Sequence, residues 1–206
     1  MPALNFSPPD DREEIARAEI YGLLANLFYG APDDALHAQL QVAVTEAPSR
    51  GAFLERSWAG VVAASRRLSL AEVQEEYAAL FLGIGKPEIF LYGSFFIAGS
   101  LNGRPLVDLR SDLRALGLER PESVSETEDH IASLCEVMRY LIAGDDLAVS
   151  NLTNQQRFFN RHLRCWADVL CDALEAHPRA DFYRQLAGFT RDFVAVEVQG
   201  FELLDV

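Results

Sequence analysis

Cysteine and histidine are scarce in this chain of 206 residues. The three cysteines, Cys135, Cys165 and Cys171, form no C-x-x-C pair, and their number is odd. The sequence therefore excludes a disulfide framework and a cysteine-rich zinc site, and it favours a reducing compartment. Because there are only four histidines, the chain has few ways to build a metal centre or a catalytic triad.

Basic residues are also few compared with acidic ones. The chain has 18 lysines and arginines against 31 aspartates and glutamates, which gives a formal net charge of −13 at pH 7. A surface this acidic repels nucleic-acid phosphates and anionic lipid, and it attracts basic partners. The composition therefore argues against nucleic acid as a partner.

Long apolar runs are absent as well. The segment most like a membrane span, residues 80–101, is interrupted by Lys86, Pro87, Glu88 and four glycines, so we expect no transmembrane helix. Residues 1–11 have no positive segment followed by an apolar one, so we expect no secretory signal. These absences predict a soluble, cytoplasmic protein with no stable membrane insertion.

Motifs of common enzyme classes are missing too. The sequence has no GxGxxG, no GxSxG, no HExxH and no ExxH pair of a di-iron bundle. Gly85-Lys86 resembles the end of a phosphate-binding loop, but position 80 is leucine where that loop needs glycine. We therefore expect no enzymatic activity, no cofactor and no bound metal.

What the chain does have is helical periodicity along nearly its whole length. Apolar residues recur at spacings of three and four from Ile20 to Val196, with no clear strand and no internal repeat. The pattern predicts an all-α, multi-helix bundle of about eight to ten helices, in one domain over residues 1–206. We expect two packed halves, roughly residues 10–83 and 104–205, joined by a hinge at 84–103, where glycines break the pattern.

Three signals predict helix N-termini. The Ser-Pro-Pro-Asp sequence at residues 7–10 is a start signal for the first helix. The sequences 125–128 and 153–156 have the S/T-x-x-E/Q form of a capping box. The second box is expected to open a long helix that continues to Leu174.

One candidate binding region lies at the break between the halves. Residues 89–103 carry no charge and include Tyr92 and Ser94. Flexible backbone, an aromatic ring and hydroxyl groups suit a groove for an apolar peptide. Tyr77 and Phe81 precede this region at helical spacing, and for them packing in the core is the favoured interpretation.

The second candidate region is Glu126 to His130. In one interpretation these acids only offset a helix dipole, with Ser125 as the cap. In the other they form, with Glu119 and Glu122, an acidic patch that pairs with guanidinium groups. A helix N-terminus disfavours protonation of His130, so we expect a neutral imidazole.

The order of the motifs resembles one protein family. In chain order the motifs are Tyr77-x-x-Leu80-Phe81, Leu91-Tyr92-x-Ser94, Glu126-x-x-Asp129-His130-Ile131 and Gln156-x-x-Phe159-x-x-x-Leu163-x-x-Trp166. Over roughly residues 15–201 the chain resembles the TorD/DmsD/NarJ family of redox-enzyme maturation chaperones, in particular its TorD branch.

The resemblance implies an all-α, cytoplasmic protein without catalysis. Members of this family bind the twin-arginine signal peptide of a molybdenum-cofactor oxidoreductase and hold the precursor until its cofactor is loaded, before export through the Tat system. The implied partners are therefore such a leader and precursor, and the chain is expected to be a monomer or a domain-swapped homodimer. The candidate peptide- and client-binding residues are Tyr77, Phe81, Leu91, Tyr92, Ser94, Glu126, Asp129 and His130.

Two departures from the family pattern stand out. Thr127 stands where the family usually has proline, and Phe-Leu-Tyr-Gly-Ser at 90–94 replaces the commoner Pro-Pro-Tyr-Glu-Ser. The Leu-Tyr-Gly-Ser-Phe-Phe form resembles chaperones associated with formate dehydrogenase, so the expected client is of formate dehydrogenase or DMSO-reductase type. Two alternatives stay open: a nucleotide-binding or nucleotide-hydrolysing enzyme that uses Asp129 and His130, and an adaptor for a partner without a Tat leader.

Overall fold

The computed structural model describes residues 11–45, 53–83 and 85–203. In these ranges the chain forms ten α-helices, one π-helical turn (Ala78–Leu82) and no strand beyond an isolated bridge. The α-helices are α1 (Asp11–Tyr29), α2 (Asp34–Val42), α3 (Glu55–Arg67), α4 (Leu70–Tyr77), α5 (Gly93–Ala98), α6 (Arg104–Ala115), α7 (Ile131–Ala143), α8 (Leu152–His162), α9 (Ala167–Ala176) and α10 (Phe182–Glu202). The predicted all-α bundle is confirmed, while the start signal at residues 7–10 lies outside the described residues.

Helices from both ends of the chain build one hydrophobic core. α1 packs along α7, and α10 packs against α3, α4 and α9. Tyr21 of α1 is fully buried and meets Phe193 of α10 edge-on, with ring centroids 4.8 Å apart. Each predicted half therefore buries its apolar face against the other. That residues 84–103 act as a hinge, or allow a swapped dimer, stays a prediction.

A buried polar network joins four helices inside this core. Arg17 of α1 pairs with Glu197 of α10 at 2.6 Å, and the Tyr21 hydroxyl donates to the same carboxylate at 2.9 Å. Arg17 also donates to Gln155 of α8 at 3.2 Å, and the Gln155 amide donates to the Leu141 carbonyl of α7 at 3.0 Å. Because Glu197 is only 3% exposed, its charge needs these partners. The network therefore fixes how α1 lies against α7, α8 and α10.

The first predicted capping box is wrong about where its helix begins. α7 starts at Ile131, and its N-cap is His130, whose Nδ1 accepts the N–H of Ala132 at 3.2 Å. Glu128, expected to reach back to the cap, instead pairs with Arg110 of α6 at 2.9 Å. This ion pair leaves Glu128 unavailable for the predicted capping hydrogen bond, and residues 125–130 are not helical.

The second predicted box is wrong as well. α8 starts at Leu152, and its cap is Asn151, whose side chain accepts the N–H of Asn154 at 3.0 Å. The expected long helix also breaks between α8 and α9. The indole N–H of Trp166 donates to the His162 carbonyl at 2.7 Å, and this is the carbonyl that the Trp166 backbone N–H would use in a continuous helix.

The longest helix of the described ranges, α10, is capped by a side chain from another helix. The carboxylate of Glu76 on α4 accepts the N–H groups of Asp181, Phe182 and Tyr183 at 2.8, 3.0 and 2.9 Å. These amides have no acceptor within α10, and they form the positive end of its dipole. Glu76 therefore ties α4 to the start of α10.

Replacing Glu76 with alanine should lower the free energy of unfolding by about 2 kcal/mol, because three amides lose their acceptor. Urea denaturation followed by circular dichroism measures the change. Glu75→Ala, on the exposed side of the same helix, is the control and should stay within about 0.5 kcal/mol of wild type. Equal stability of the Glu76 variant and wild type would show that water replaces the carboxylate without cost.

Candidate functional site

An isolated antiparallel bridge holds residues 91–93 against the start of α7. Its hydrogen bonds join the Gly93 N–H to the Asp129 carbonyl at 2.9 Å and the Ile131 N–H to the Leu91 carbonyl at 2.8 Å. α5 begins directly after the bridge. Residues 91–98 therefore form a bridge and a helix where the sequence predicted flexible backbone.

Gly93 is needed because of its neighbour Trp166. A Cβ added at Gly93 would come within 2.9 Å of the indole Nε1. The indole cannot easily move away, because it stacks on Phe96 with ring centroids 5.4 Å apart and donates to the His162 carbonyl. This close approach accounts for glycine at the centre of the Phe-Leu-Tyr-Gly-Ser segment.

The buried carboxylate of Asp129 holds the start of α5 in place. The residue is 3% exposed. One carboxylate oxygen accepts the Ser94 N–H at 2.9 Å, and the other accepts the Thr127 hydroxyl at 2.6 Å. Because both oxygens accept hydrogen bonds from this chain, Asp129 positions the bridge and α5.

His130 is buried and neutral. It is 5% exposed, and burial lowers its pKa to about 4 although Glu126 and Asp129 act in the opposite direction. An unprotonated Nδ1 is also what the hydrogen bond from Ala132 requires. The expected neutral imidazole is confirmed, and the main cause is burial rather than the helix terminus.

Aromatic rings and one carboxylate surround this imidazole. The Tyr92 hydroxyl donates to Glu126, and the Tyr92 ring meets the imidazole edge-on with centroids 5.1 Å apart. Tyr29 approaches the imidazole at 6.4 Å, and the Tyr77 hydroxyl donates to the Tyr29 carbonyl at 2.8 Å. We call these five residues, Tyr29, Tyr77, Tyr92, Glu126 and His130, the tyrosine–glutamate cluster.

The two inner phenols of the cluster stay protonated at neutral pH. Burial, and then the charge of Glu126, raises the pKa of Tyr77 to about 12. Burial and the hydrogen bond to Glu126 raise the pKa of Tyr92 well above its usual range. Glu126 is half-buried, so the cluster presents one carboxylate among uncharged aromatic groups.

The other predicted site residues lie elsewhere. Phe81 and Leu91 belong to the core, where the Phe81 ring packs against Tyr77 and Tyr183 with both centroid distances 5.0 Å. Ser94 lines a separate recess of about 400 Å³ between α5, α6 and the α8–α9 junction. Its hydroxyl has no hydrogen-bond partner among the described residues. A direct contact between client and these three residues stays a prediction.

Tyr29 was not expected from the sequence. It ends α1 outside the apolar stripe of that helix, and it is 51% exposed. Its position just before the Gly-Ala-Pro turn at residues 30–32 is a signal for a loop and says nothing about ligand contact. Only the fold brings it to His130, 101 residues away in the sequence.

A groove of about 430 Å³ runs beside the cluster. We call it the α1–α7 groove. It is lined by Ala25, Asn26 and Tyr29 of α1, by Ala132, Ser133, Glu136, Val137 and Tyr140 of α7, and by Leu113, Leu118, Glu119, Arg120, Pro121, Val124 and Glu128 between them. The groove joins the cluster through Tyr29, and no sequence motif indicated it.

The acidic patch expected around residues 119–128 is partly neutralised. Glu128 pairs with Arg110 at 2.9 Å and with Arg120 at 3.6 Å. Burial opposes the charge of Glu128, but these arginines hold its pKa below the usual range. Glu119 and Glu126 take part in no ion pair among the described residues, so they are the acids available to a basic ligand.

In the part of the chain that the structure describes, no group of three or more histidine, cysteine, aspartate or glutamate side chains is arranged to hold a metal ion. None of the described helices is long and apolar enough to cross a membrane.

The chain matches one protein family and is similar to two named chaperones. The model of the family described as nitrate reductase delta subunit matches residues 34–172. The chain is 26% identical over 194 residues to the chaperone protein TorD of Vibrio cholerae serotype O1, covering 86% of this chain and 88% of that protein. It is 23% identical over 174 residues to the chaperone protein YcdY of Escherichia coli K12, covering 84% and 89%.

Replacing Asp129 with alanine should lower the free energy of unfolding by about 1–3 kcal/mol, because the buried Ser94 N–H loses its acceptor. Urea unfolding, together with hydrogen exchange at the Ser94 amide, measures the effect. Asp129→Asn keeps an acceptor oxygen and should retain most of the stability. An alanine variant as stable as wild type would contradict the positioning role of this carboxylate.

Replacing His130 with glutamine should change how stability depends on pH. The pKa of His130 is about 4 in the folded chain and about 6.5 in the unfolded chain. Between about pH 4 and pH 6.5, His130 is therefore protonated in the unfolded state but not in the folded state. This group therefore stabilises the fold fully above about pH 6.5, and its contribution is lost as the pH falls to about 4. The stability of wild type relative to His130→Gln should fall by up to about 3 kcal/mol across that range.

Chemical denaturation at a series of pH values measures this difference. Tyr29→Phe keeps the imidazole and should follow the wild-type profile. A difference between wild type and His130→Gln that does not change with pH would contradict a buried, neutral imidazole.

Proposed function

Because this chain belongs to the nitrate reductase delta subunit family, the family of TorD and NarJ, we propose that it binds the twin-arginine leader of a molybdenum-cofactor oxidoreductase. The family and its named relatives make it a redox-enzyme maturation chaperone. In the proposal it holds the precursor in the cytoplasm, assists cofactor insertion and releases the client for Tat export. The client is of formate dehydrogenase or DMSO-reductase type.

The observation that carries the proposal is the composition of the tyrosine–glutamate cluster. The half-buried carboxylate of Glu126 accepts the Tyr92 hydroxyl, and the rings of Tyr92 and Tyr29 both approach the neighbouring His130. Carboxylates bind a planar guanidinium through two parallel hydrogen bonds, and aromatic faces attract it. The cluster is therefore suited to arginine more than to lysine.

The neutral state of His130 supports the same proposal. An imidazolium beside Glu126 would repel an incoming guanidinium and would pair with the carboxylate itself. Burial keeps the imidazole uncharged at physiological pH. The carboxylate of Glu126 accepts the hydroxyls of Tyr92 and Ser125 but has no ion pair among the described residues, so its charge stays available to a cation from outside.

The net charge of the chain supports a basic ligand as well. With a formal charge of −13, the surface attracts a leader that carries arginines and speeds its encounter with the site. Hydrolysis of nucleotide by Asp129 and His130 has no comparable support. Both oxygens of Asp129 are engaged within the chain, and an acidic surface repels phosphates.

Binding of a synthetic leader tests the proposal. The peptide is the twin-arginine leader of a molybdoenzyme encoded beside this chain, and calorimetry measures its affinity. Replacing its two arginines with lysines should weaken binding about tenfold, because the bidentate contact is lost. Glu126→Gln should weaken binding of the arginine leader by a similar factor, since the carbonyl of glutamine still accepts the Tyr92 hydroxyl but carries no charge.

The matched control is Glu75→Gln, which removes the same charge from an exposed acid on α4 outside the cluster and the groove. It should leave the affinity within about twofold, as expected of an exposed charge. Equal affinity for the arginine and lysine peptides would contradict recognition of the arginine pair. Failure of the wild-type chain to bind either peptide would contradict leader binding itself.

A further inference from the structure

The α1–α7 groove has the shape of a site for a helix. On α7 its lining residues recur at one, four, five and eight positions after Ala132, and they therefore share one helical face. On α1 the lining residues are Ala25, Asn26 and Tyr29, which also share a face. Residues 118–128 form the third wall. The face on α7 is about 12 Å long, which matches about two turns of a helical ligand.

The floor of the groove allows close approach. Ala25 and Ala132 are small and almost fully buried, at 2% and 3% exposure. Ser133 lies beside them on α7. Small side chains at a contact let helices pack at short interaxial distances. A ligand helix can therefore lie close to the backbones of α1 and α7, along the line where these two helices meet.

The walls of the groove are apolar where they meet solvent. Tyr29 is 51% exposed and Tyr140 is 43% exposed, and Val137 lies between them, partly buried. Leu118, Pro121 and Val124 line the opposite side. Exposed apolar side chains that share a groove with a few polar ones, here Glu119, Arg120 and Glu136, are typical of an interaction site.

The acidic side chains near the groove determine the direction in which a ligand helix binds. Glu136, on α7, already pairs with Arg139 at 2.9 Å, while Glu119 and Glu126 have no ion pair among the described residues. Glu119 lines the groove, and Glu126 belongs to the cluster that shares Tyr29 with it. The matching ligand has its basic residues at the end of the groove where Tyr29 meets the cluster, and its apolar helix lies along the rest of the groove.

We propose that the α1–α7 groove binds the apolar stretch of the client leader as a helix of about two turns, while the tyrosine–glutamate cluster holds the arginine pair. This inference rests on the proposed leader binding. The apolar contact with α7 then supplies most of the affinity, and the cluster supplies the selection for arginine.

Filling the groove tests the inference. Ser133→Trp places an indole on its floor and should weaken binding of the leader peptide at least tenfold, or about 1.4 kcal/mol. Val137→Asp puts a charge against the apolar stretch and should act in the same direction. The control is Val169→Trp on α9, which adds the same indole at an exposed position outside the groove and should change the affinity less than about twofold.

Photo-crosslinking of the wild-type chain does not depend on folding of a variant. A leader peptide with benzoylphenylalanine in its apolar stretch should crosslink to residues 133–140 of α7, as mapped by mass spectrometry. Leader binding that is equal in wild type and both groove variants, or crosslinks confined to other helices, would overturn the groove and leave leader binding standing. No binding to wild type would overturn both.

A second copy of the chain is the competing occupant of the groove. Light scattering across a range of protein concentrations distinguishes it. A dimer that Ser133→Trp dissociates, with unchanged leader affinity, would overturn the inference in favour of self-association. A mass independent of concentration, with leader affinity lost in the variant, is the expected result.

Discussion

The candidate site depends on the attachment of residues 91–94 to residues 129–131. Two backbone hydrogen bonds form the bridge, and the carboxylate of Asp129 accepts a third from Ser94. This attachment sets Tyr92 against His130 and aims the Tyr92 hydroxyl at Glu126. Without it the uncharged segment has no charged side chain of its own to hold it to α7. The bridge therefore converts two distant stretches of sequence into one surface.

The two residues with the most reactive side chains in this surface serve to position the others. Asp129 has its oxygens occupied, and His130 caps α7 through Nδ1. Burying an ionised carboxylate requires several hydrogen bonds, and Asp129 obtains them from Ser94 and Thr127. The charge that a ligand meets is therefore that of Glu126, which stands at the edge of the buried pair.

Helical periodicity was enough to predict the all-α class and most helix positions, because each helix buries one apolar face. It failed at residues 125–130 and at Trp166, where a long-range ion pair and an indole hydrogen bond overrode the local capping and spacing signals. For the site, the motifs predicted Tyr92, Glu126 and His130, which the fold brings together. Tyr29 and the α1–α7 groove were invisible to sequence reasoning, since they arise only when α1 packs along α7.

Charge and apolar surface have different tasks in such a site. At physiological ionic strength, attraction between exposed charges is screened beyond about 8 Å. The net charge of −13 therefore speeds the encounter with a basic ligand but contributes little to the affinity of the bound state. Contact with apolar side chains is not screened, and each Å² removed from water contributes about 25 cal/mol. Tyr29 belongs to both surfaces, so in the proposed binding mode a ligand with only the arginine pair or only the apolar helix fills half of the site. In that mode the requirement for both parts distinguishes a leader from the many other basic or apolar segments in a cell.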